Sequence, residues 1–379
     1  MGTSGIGMSQ ATPIKPSVLA INTGSSSLKA SFFSADGVRR NLQYHFKGQS
    51  AKGDCRTAFS ELFSDFELLS DLEKEKPDII AHRFVHGGDI VESARLLDAA
   101  ELERLHSIIP LAPLHLPMSL LGVGLCESHF GAPQAACFDT AFHQTMSPLA
   151  KTLPIPNREN MHRYGFHGLS YAYLASQLPL LIGQTAYKRV VMAHLGSGAS
   201  LCMTENLLST DTTMGYTPAG GICMATRSGD IDPGAMLELA RRHDIDTLAD
   251  MVNNQMGLLA VSLGESHKME VLLKSKSPNA KLAIDYFCRQ VAGAIGSLAA
   301  KTGGIDALVF SGGIGDHSPH IRALICESLA FMGIKLDQTA NLEQSQHLNA
   351  SDSIPVLRIA TDEEAVMHSL VLSLLSNTN

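Results

Sequence analysis

The 379-residue chain has no tryptophan, only 6% aromatic residues, and no C-x-x-C pair among its seven cysteines. Cys55, Cys126, Cys137, Cys202, Cys223, Cys288 and Cys326 are odd in number and scattered, which argues against a disulfide framework and a cysteine zinc site. They read as reduced thiols of a cytoplasmic protein. Basic runs are missing too: nothing exceeds the pairs Arg39-Arg40, Lys188-Arg189 and Arg241-Arg242, and the net charge is -8. Steering onto a nucleic-acid backbone is disfavoured. No apolar run reaches the roughly 18 residues of a membrane span, and Met1–Lys15 lacks the basic-then-apolar order of a leader. Residues 1–17 are expected to be a flexible tail. What the chain does have is 45% hydrophobic residues, enough length for about two or three domains, and 32 glycines.

The glycines fall in informative places. Val18–Ile21 is an apolar run ending at Asn22, followed by Gly24-Ser25-Ser26-Ser27 and a second apolar stretch, Leu28–Phe33, which together read as strand, turn, strand. The unit recurs at Val190–Ala193, then His194, Gly196, Ser197, Gly198 and Ser200, then Leu201–Met203, at an offset of 172 residues. That period is too long for a solenoid and indicates two related domains, each opening with a β-turn-β element. Further strands are expected at Ile79–Val85, Ala135–Phe138 and Ala307–Phe310, with helices over Ala94–Ser107 and Leu116–Ser128. Prolines 148, 154 and 156 make Ser147–Met161 a non-helical crossing between domains. Pro278–Thr302 carries Leu282, Tyr286, Phe287, Val291, Ile295 and Leu298 at helical spacing, the stripe of a long core helix between Ser277 as N-cap and the stop Gly303. A third glycine cluster, Gly312-Gly313-Ile314-Gly315, follows Ala307–Phe310, and another helix is expected to start near Ser318-Pro319. Alternating strands and helices make the protein α/β.

Each glycine cluster follows an apolar strand, where α/β proteins put ligand-binding turns whose backbone N–H groups can approach phosphate oxygens. None fits G-x-x-x-x-G-K-[S/T], or G-x-G-x-x-G leading into a helix. Two strand-turn-strand loops plus a strand-Gly-Gly-helix loop resemble the duplicated fold of the actin, sugar kinase and heat-shock ATPase group. That resemblance implies mixed sheets flanked by helices in each half and a site in the cleft between them.

A closer resemblance rests on longer segments. Ile21-Asn22-Thr23-Gly24-Ser25-Ser26-Ser27-Leu28-Lys29, His82-Arg83-Phe84-Val85-His86-Gly87-Gly88, Ala112-Pro113-Leu114-His115 and Phe138-Asp139-Thr140-Ala141-Phe142-His143-Gln144-Thr145-Met146 are similar to the acetate kinase family. So are Tyr164-Gly165-Phe166-His167-Gly168, Thr226-Arg227-Ser228-Gly229-Asp230-Ile231-Asp232-Pro233, Gly312-Gly313-Ile314-Gly315 and Thr361-Asp362-Glu363-Glu364. They occur in the family's order and cover nearly the whole chain.

The resemblance implies reversible, magnesium-dependent transfer of the γ-phosphoryl of ATP to acetate, in line and directly, by a cytoplasmic homodimer. A carboxylate kinase must hold two anions end to end and neutralise the transferring phosphoryl, and arginine can clamp such groups bidentately. By resemblance, Arg83 binds the substrate carboxylate, Arg227 stabilises the transition state, His167 donates to the phosphoryl oxygens with His115 in the same region, and Asp139 positions substrate or metal. Val85, Leu114, Phe166 and Pro218 would line the methyl pocket. Asn22 and Glu363 match the positions holding Mg2+, with Mn2+ as an alternative. Lys29 is the natural partner of an ATP phosphate; His194, Leu195, Gly196, Ser197 and Gly198 would cradle phosphates, and Gly312, Gly313, Ile314, Gly315 and Asp316 would contact the nucleoside. The implied domains are 18–147 with 365–379, and 148–364.

The chain departs from the family pattern at Leu116 and Ser197, where asparagine is usual, and at His267-Lys268-Met269, where an Asp-x-Arg adenosine motif is usual. The last departure leaves the donor open among ATP, other triphosphates and pyrophosphate. Two alternatives accompany the kinase reading: a propionate-preferring relative, and a non-enzymatic nucleotide switch on the same scaffold, which would not require Arg83, His167 and Arg227 together.

Overall fold

A computed structural model describes residues 16–24, 27–46, 51–73 and 76–378. Residues 1–15 of the expected tail, and Ser25 and Ser26 of the first turn, lie outside these. The first sheet contains β1 (Val18–Thr23), β2 (Ser27–Phe33), β3 (Arg39–His45), β4 (Ile79–Phe84), β5 (Ala94–Leu96) and β6 (Gln134–Phe138), in the order β3-β2-β1-β4-β6-β5. The second contains β7 (Val190–Leu195), β8 (Ala199–Glu205), β9 (Leu208–Thr212), β10 (Ala307–Ser311) and β11 (Val356–Arg358), in the order β11-β10-β7-β8-β9.

Reversing the second order exposes the duplication: β9-β8-β7-β10-β11 repeats β3-β2-β1-β4-β6. In both sheets an antiparallel hairpin is followed by parallel strands, and β1 and β7 lie 172 residues apart along their full lengths. The repeat seen in the sequence is therefore a repeat of topology.

Strand periodicity decides which helix covers which face. From β1, Leu19 and Ile21 pack with Phe59, Leu62 and Cys126 of the helices Ala51–Glu73 and Leu116–Phe130. The alternate residues Val18 and Ala20 face Met367 and Val371 of the final helix, Glu363–Thr378. In the second sheet, Val191 and Ala193 share a core with Phe287, Val291 and Ile295 of the helix Pro278–Thr302, whereas Val190 and Met192 pack against Tyr171, Leu174 and Leu178 of the helix Gly168–Ile182.

Four expectations change. Ala94–Leu96 is a strand antiparallel to β6, and the helix starts only at Ala99, where the Asp98 side chain accepts from the Glu101 N–H. Pro148 begins a one-turn helix, Pro148–Lys151, capped by Ser147; its fixed φ suits a first helical position even though it would break an interior one. Leu282 and Tyr286, assigned to the core stripe of the long helix, are 57% and 39% exposed. Finally, Gly312–Gly315 is the first turn of the helix Gly312–His317 instead of a loop. Gly312 makes the entry: its φ is +73°, and a Cβ there would lie 2.7 Å from the Leu195 carbonyl oxygen, so the turn tolerates no side chain.

Candidate active site

The parallel strands β1, β4 and β6 end side by side, and their carboxyl ends deliver Asn22, Arg83 and Asp139 to one place, the position where open α/β sheets bind ligands. The duplicated strand β7 delivers His194 from the opposite side. Between the two hairpins lies a cleft of about 360 Å³.

On the first-sheet wall the charges are tied into one network. Arg83 donates from Nε and Nη2 to Asp139 Oδ2 at 3.0 and 2.6 Å, and from Nη1 to Asn22 Oδ1 at 3.0 Å. The Asn22 amide in turn donates to Glu363 Oε2 at 2.8 Å and Glu364 Oε1 at 2.9 Å. Burial pulls the Arg83 pKa down, but Asp139 and Glu363 outweigh it, so the guanidinium is held charged more firmly than usual. Burial pushes the Asp139 carboxyl up against the pull of Arg83. For Glu363 the cost of burial is outweighed by Arg83 and His194, and its pKa falls. Three of the five guanidinium N–H groups of Arg83 serve this network, which leaves donors for an anion.

Asp139 also receives the Leu169 N–H at 3.3 Å, from the start of the helix Gly168–Ile182. This approach is close enough that a Cβ on Gly168 would sit 1.8 Å from the Asp139 carbonyl oxygen. The preceding residue, His167, adopts a left-handed backbone with φ 57°, a conformation that costs energy outside glycine and is concentrated at functional sites. It points the imidazole into the cleft.

Three histidines line the cleft and all are held neutral. Burial lowers the pKa of His115 to about 3 with help from Arg227 and Arg83, and that of His194 to about 4. His167 is lowered well below its ordinary value by burial and then by His194, Arg83 and Arg227. His167 and His194 stack with centroids 4.4 Å apart.

Arg227 faces this group from the second half. Its turn is tied down by Asp230, which accepts from the Gly221 N–H at 2.8 Å, and its Nη1 donates to the Pro218 carbonyl at 2.7 Å. The Ser197 carbonyl accepts from Ala225 N–H at 3.1 Å, which links the second glycine turn to the Arg227 segment. A Cβ on Gly198 would approach His167 Nε2 to 3.2 Å and Arg227 Nη2 to 3.7 Å, so the bare glycine keeps the space between the imidazole and the guanidinium open.

The cleft thus brings together Asn22, Lys29, Arg83, Val85, His115, Asp139, Phe166, His167, His194, Gly196, Ser197, Gly198, Pro218, Arg227, Gly312, Gly313 and Glu363. Leu114 does not line it and is 45% exposed. The Leu195 side chain is buried in the second core, and Ile314 packs against that core. Asp316 is ion-paired with Arg358 at 2.5 Å, and neither it nor Gly315 borders the cleft. His267, Lys268 and Met269 do not border it either; Met269 is a core residue. Gly24, Ser27, Thr361 and Glu364 line the cleft without having been assigned a role, although all four lie in the segments already singled out. Of the two residues that back His167, Ser200 stands in the repeated strand-turn-strand unit without an assigned role, and Tyr171 carries no sequence signal of its own.

Two copies of one sheet layout, opposed across a cleft that gathers cations and neutral imidazoles, form the arrangement of the actin-like kinases, and the protein is an enzyme of that class, a phosphotransferase. The acetokinase family profile matches residues 17–369, and the chain belongs to that family. It is 40% identical to an acetate kinase of Nitrobacter hamburgensis over 95% of this chain and 96% of that one, and 37% identical to one of Rhodopseudomonas palustris over 92% and 96%. Among solved structures, a propionate kinase from Francisella tularensis is similar with a TM-score of 0.84 and 32% identity, covering 94% of this chain and 98% of that one. The acetate kinase of Entamoeba histolytica follows with 0.82 and 30%, covering 95% and 100%.

Proposed function

We propose that the protein transfers the γ-phosphoryl group of ATP reversibly to acetate, giving acetyl phosphate and ADP. The observation that carries this reading is the opposition of Arg83 and Asp139 on one wall to Arg227 and His167 on the other, across a cleft with a small apolar wall of Val85, Phe166 and Pro218. A nucleotide switch has no need of such a wall.

In this reading the remaining Arg83 donors hold the acetate carboxylate, and Val85, Phe166 and Pro218 enclose its methyl group. The carboxylate oxygen attacks the γ-phosphorus, the bond to the bridging oxygen breaks, and that electron pair leaves with ADP. Arg227 and the His167 ring N–H meet the charge on the phosphoryl oxygens, preorganised donors being worth most where water is excluded. Lys29 and the backbone of Gly196–Gly198 and Gly312–Gly313 hold the nucleotide phosphates. Asp139 keeps Arg83 oriented.

The donor chemistry at Asn22, Glu363 and Glu364 suits Mg2+ or Mn2+: all oxygen, with each carboxylate spending one oxygen on the Asn22 amide. Among the described residues no group of three or more His, Cys, Asp or Glu is placed to hold a metal ion. When bound, the ion would share the charge of the phosphates. Propionate is the second reading, favoured by the Francisella neighbour; one methylene shifts selectivity by only about 1–3 kcal/mol. The proposed setting is a homodimer in the cytoplasm. The outward Leu282 and Tyr286 suit a partner surface, and among the described residues no helix is long and apolar enough to cross a membrane.

A hydroxamate assay of acyl phosphate formed from acetate, propionate and butyrate, with ATP, GTP or pyrophosphate, tests the reading. Acetate with ATP is expected to give the highest kcat/KM. Failure to form acyl phosphate from any acid would remove it.

A further inference from the structure

We propose that Tyr171 and Ser200 form a relay that keeps the single proton of His167 on Nε2, making that nitrogen a standing donor toward the cleft. Both are positioning residues, since each acts through His167. Neither has a role in the reading above.

The relay spans two elements. Tyr171 lies in the first turn of the helix Gly168–Ile182, Ser200 lies on β8, and both are fully buried. The Tyr171 hydroxyl is 2.6 Å from Ser200 Oγ, which is 2.8 Å from His167 Nδ1. Those two distances leave the directions of the bonds open, and proton counting sets them.

Tyr171 keeps its proton, because the phenol is fully buried and burial pushes its pKa well above the ordinary value. The phenol must therefore donate. Ser200 Oγ is its bonded acceptor among the described residues. Ser200 has one proton of its own, and its other bonded neighbour among the described residues is His167 Nδ1. If Nδ1 carried the imidazole proton, Ser200 would receive two donors and its own O–H would be stranded in a buried position. A buried donor without a partner is disfavoured strongly enough to shift the tautomer balance roughly tenfold or more. The satisfied arrangement runs from Tyr171 O–H to Ser200 Oγ and from Ser200 O–H to His167 Nδ1. A neutral imidazole has one N–H, so the proton stands on Nε2.

Nε2 is the nitrogen that faces the cleft, beside the open space that Gly198 preserves next to Arg227. The stack on His194, itself bonded to Ser170 Oγ at 2.8 Å, fixes the plane of the His167 ring, and the 2.8 Å contact of Nδ1 with Ser200 Oγ sets which nitrogen faces inward. His167 thus offers a hydrogen bond to an incoming anion without first taking up a proton.

The tautomer can be read from nitrogen NMR of the full chain labelled with 15N-histidine, the His167 signals being those lost in His167→Gln. This reading is independent of the reaction proposed above. The wild-type protein is expected to show Nε2–H, and Ser200→Ala a mixture of both tautomers. The kinetic arm rests on the acetate kinase reading: Ser200→Ala is expected to lower kcat about tenfold and Tyr171→Phe about threefold, with the KM for acetate within about twofold. Because the two act in series, the double variant should be no slower than Ser200→Ala. An Nδ1–H imidazole in the wild-type protein, an unchanged tautomer in Ser200→Ala, or losses that multiply in the double variant would overturn the relay. An inactive protein with the expected Nε2–H signal would leave the relay standing and remove the kinase reading.

Discussion

Arg227 and Arg83 share a cleft and a residue type, yet their surroundings differ. Arg83 is embedded among Asp139, Asn22 and Glu363, whereas the bonded partner of the Arg227 side chain among the described residues is the Pro218 carbonyl, and burial lowers its pKa. In the proposed reaction, an arginine with spare donors facing the cleft is the one available to charge that develops during transfer. Arg227→Ala is therefore expected to lower kcat by about 10³-fold or more, with a smaller change in the KM for acetate; steady-state kinetics showing wild-type turnover would remove Arg227 from the mechanism. Gly168 sets a complementary limit. Gly168→Ala would drive a methyl group into the Asp139 carbonyl, and we expect a loss of about 2–3 kcal/mol in denaturant unfolding, together with reduced activity because both His167 and Asp139 must shift. The motif residues were legible because their types and order are specific. Tyr171 was not, and Ser200, although part of the repeated strand-turn-strand unit, drew no role, since a tyrosine and a serine acquire meaning here only from the imidazole between their elements.

Elements show the same division in a different form. The helix Pro278–Thr302 follows the expected boundaries residue for residue, because its ends are set by local chemistry: the Ser277 side chain accepts from the Asn279 N–H, Pro278 occupies the first turn, and Gly303 ends it in a left-handed conformation. Ser277→Ala should cost about 1 kcal/mol, measurable as a lower urea midpoint at unchanged slope; no shift would mean that packing alone holds the first turn. Its outward face was misjudged, since periodicity gives a stripe but not its width, and Leu282 and Tyr286 fall beyond the edge. β5 was hidden for a related reason. Three residues are too few to show a period of two, and their strand state comes from pairing with β6. The glycines at 312–315 form a helix because β10 delivers them against Leu195 of the neighbouring strand, a contact across more than a hundred residues of chain.

At the scale of the whole molecule, folding withdraws many titratable groups from water. Burial takes His82, His86, His143 and His194 down to about 4 and His115 to about 3, from an ordinary 6.5. The unfolded chain then binds more protons than the folded one between those values. Their contribution to stability is complete above about pH 6.5 and is lost as the pH falls toward 4, each group costing up to about 1.4 kcal/mol per pH unit. Urea titrations at pH 7.5, 6 and 5 should show this decline, and a constant midpoint from 7.5 to 5 would refute it. Burial likewise pushes the Cys55 thiol up to about 11 and those of Cys137, Cys202, Cys223, Cys288 and Cys326 to about 12. All seven cysteines are buried and free, so the native protein should leave an aromatic disulfide reagent unreacted at pH 8 and titrate seven thiols only after denaturation. Rapid modification of the native state would show that one of these cores opens.

The sequence by itself determined the duplication, the boundaries of elements with caps and long apolar stripes, and the family with most of its cleft residues, because these depend on residue type, spacing and order along the chain. The tertiary structure alone decided that Arg83 is locked to Asp139 and Asn22 while Arg227 keeps its donors, that Leu114 faces outward, and that His167 rests on Ser200 and Tyr171. Those facts depend on which strand ends lie side by side and which groups lose their water, and both follow from packing between segments far apart in the chain.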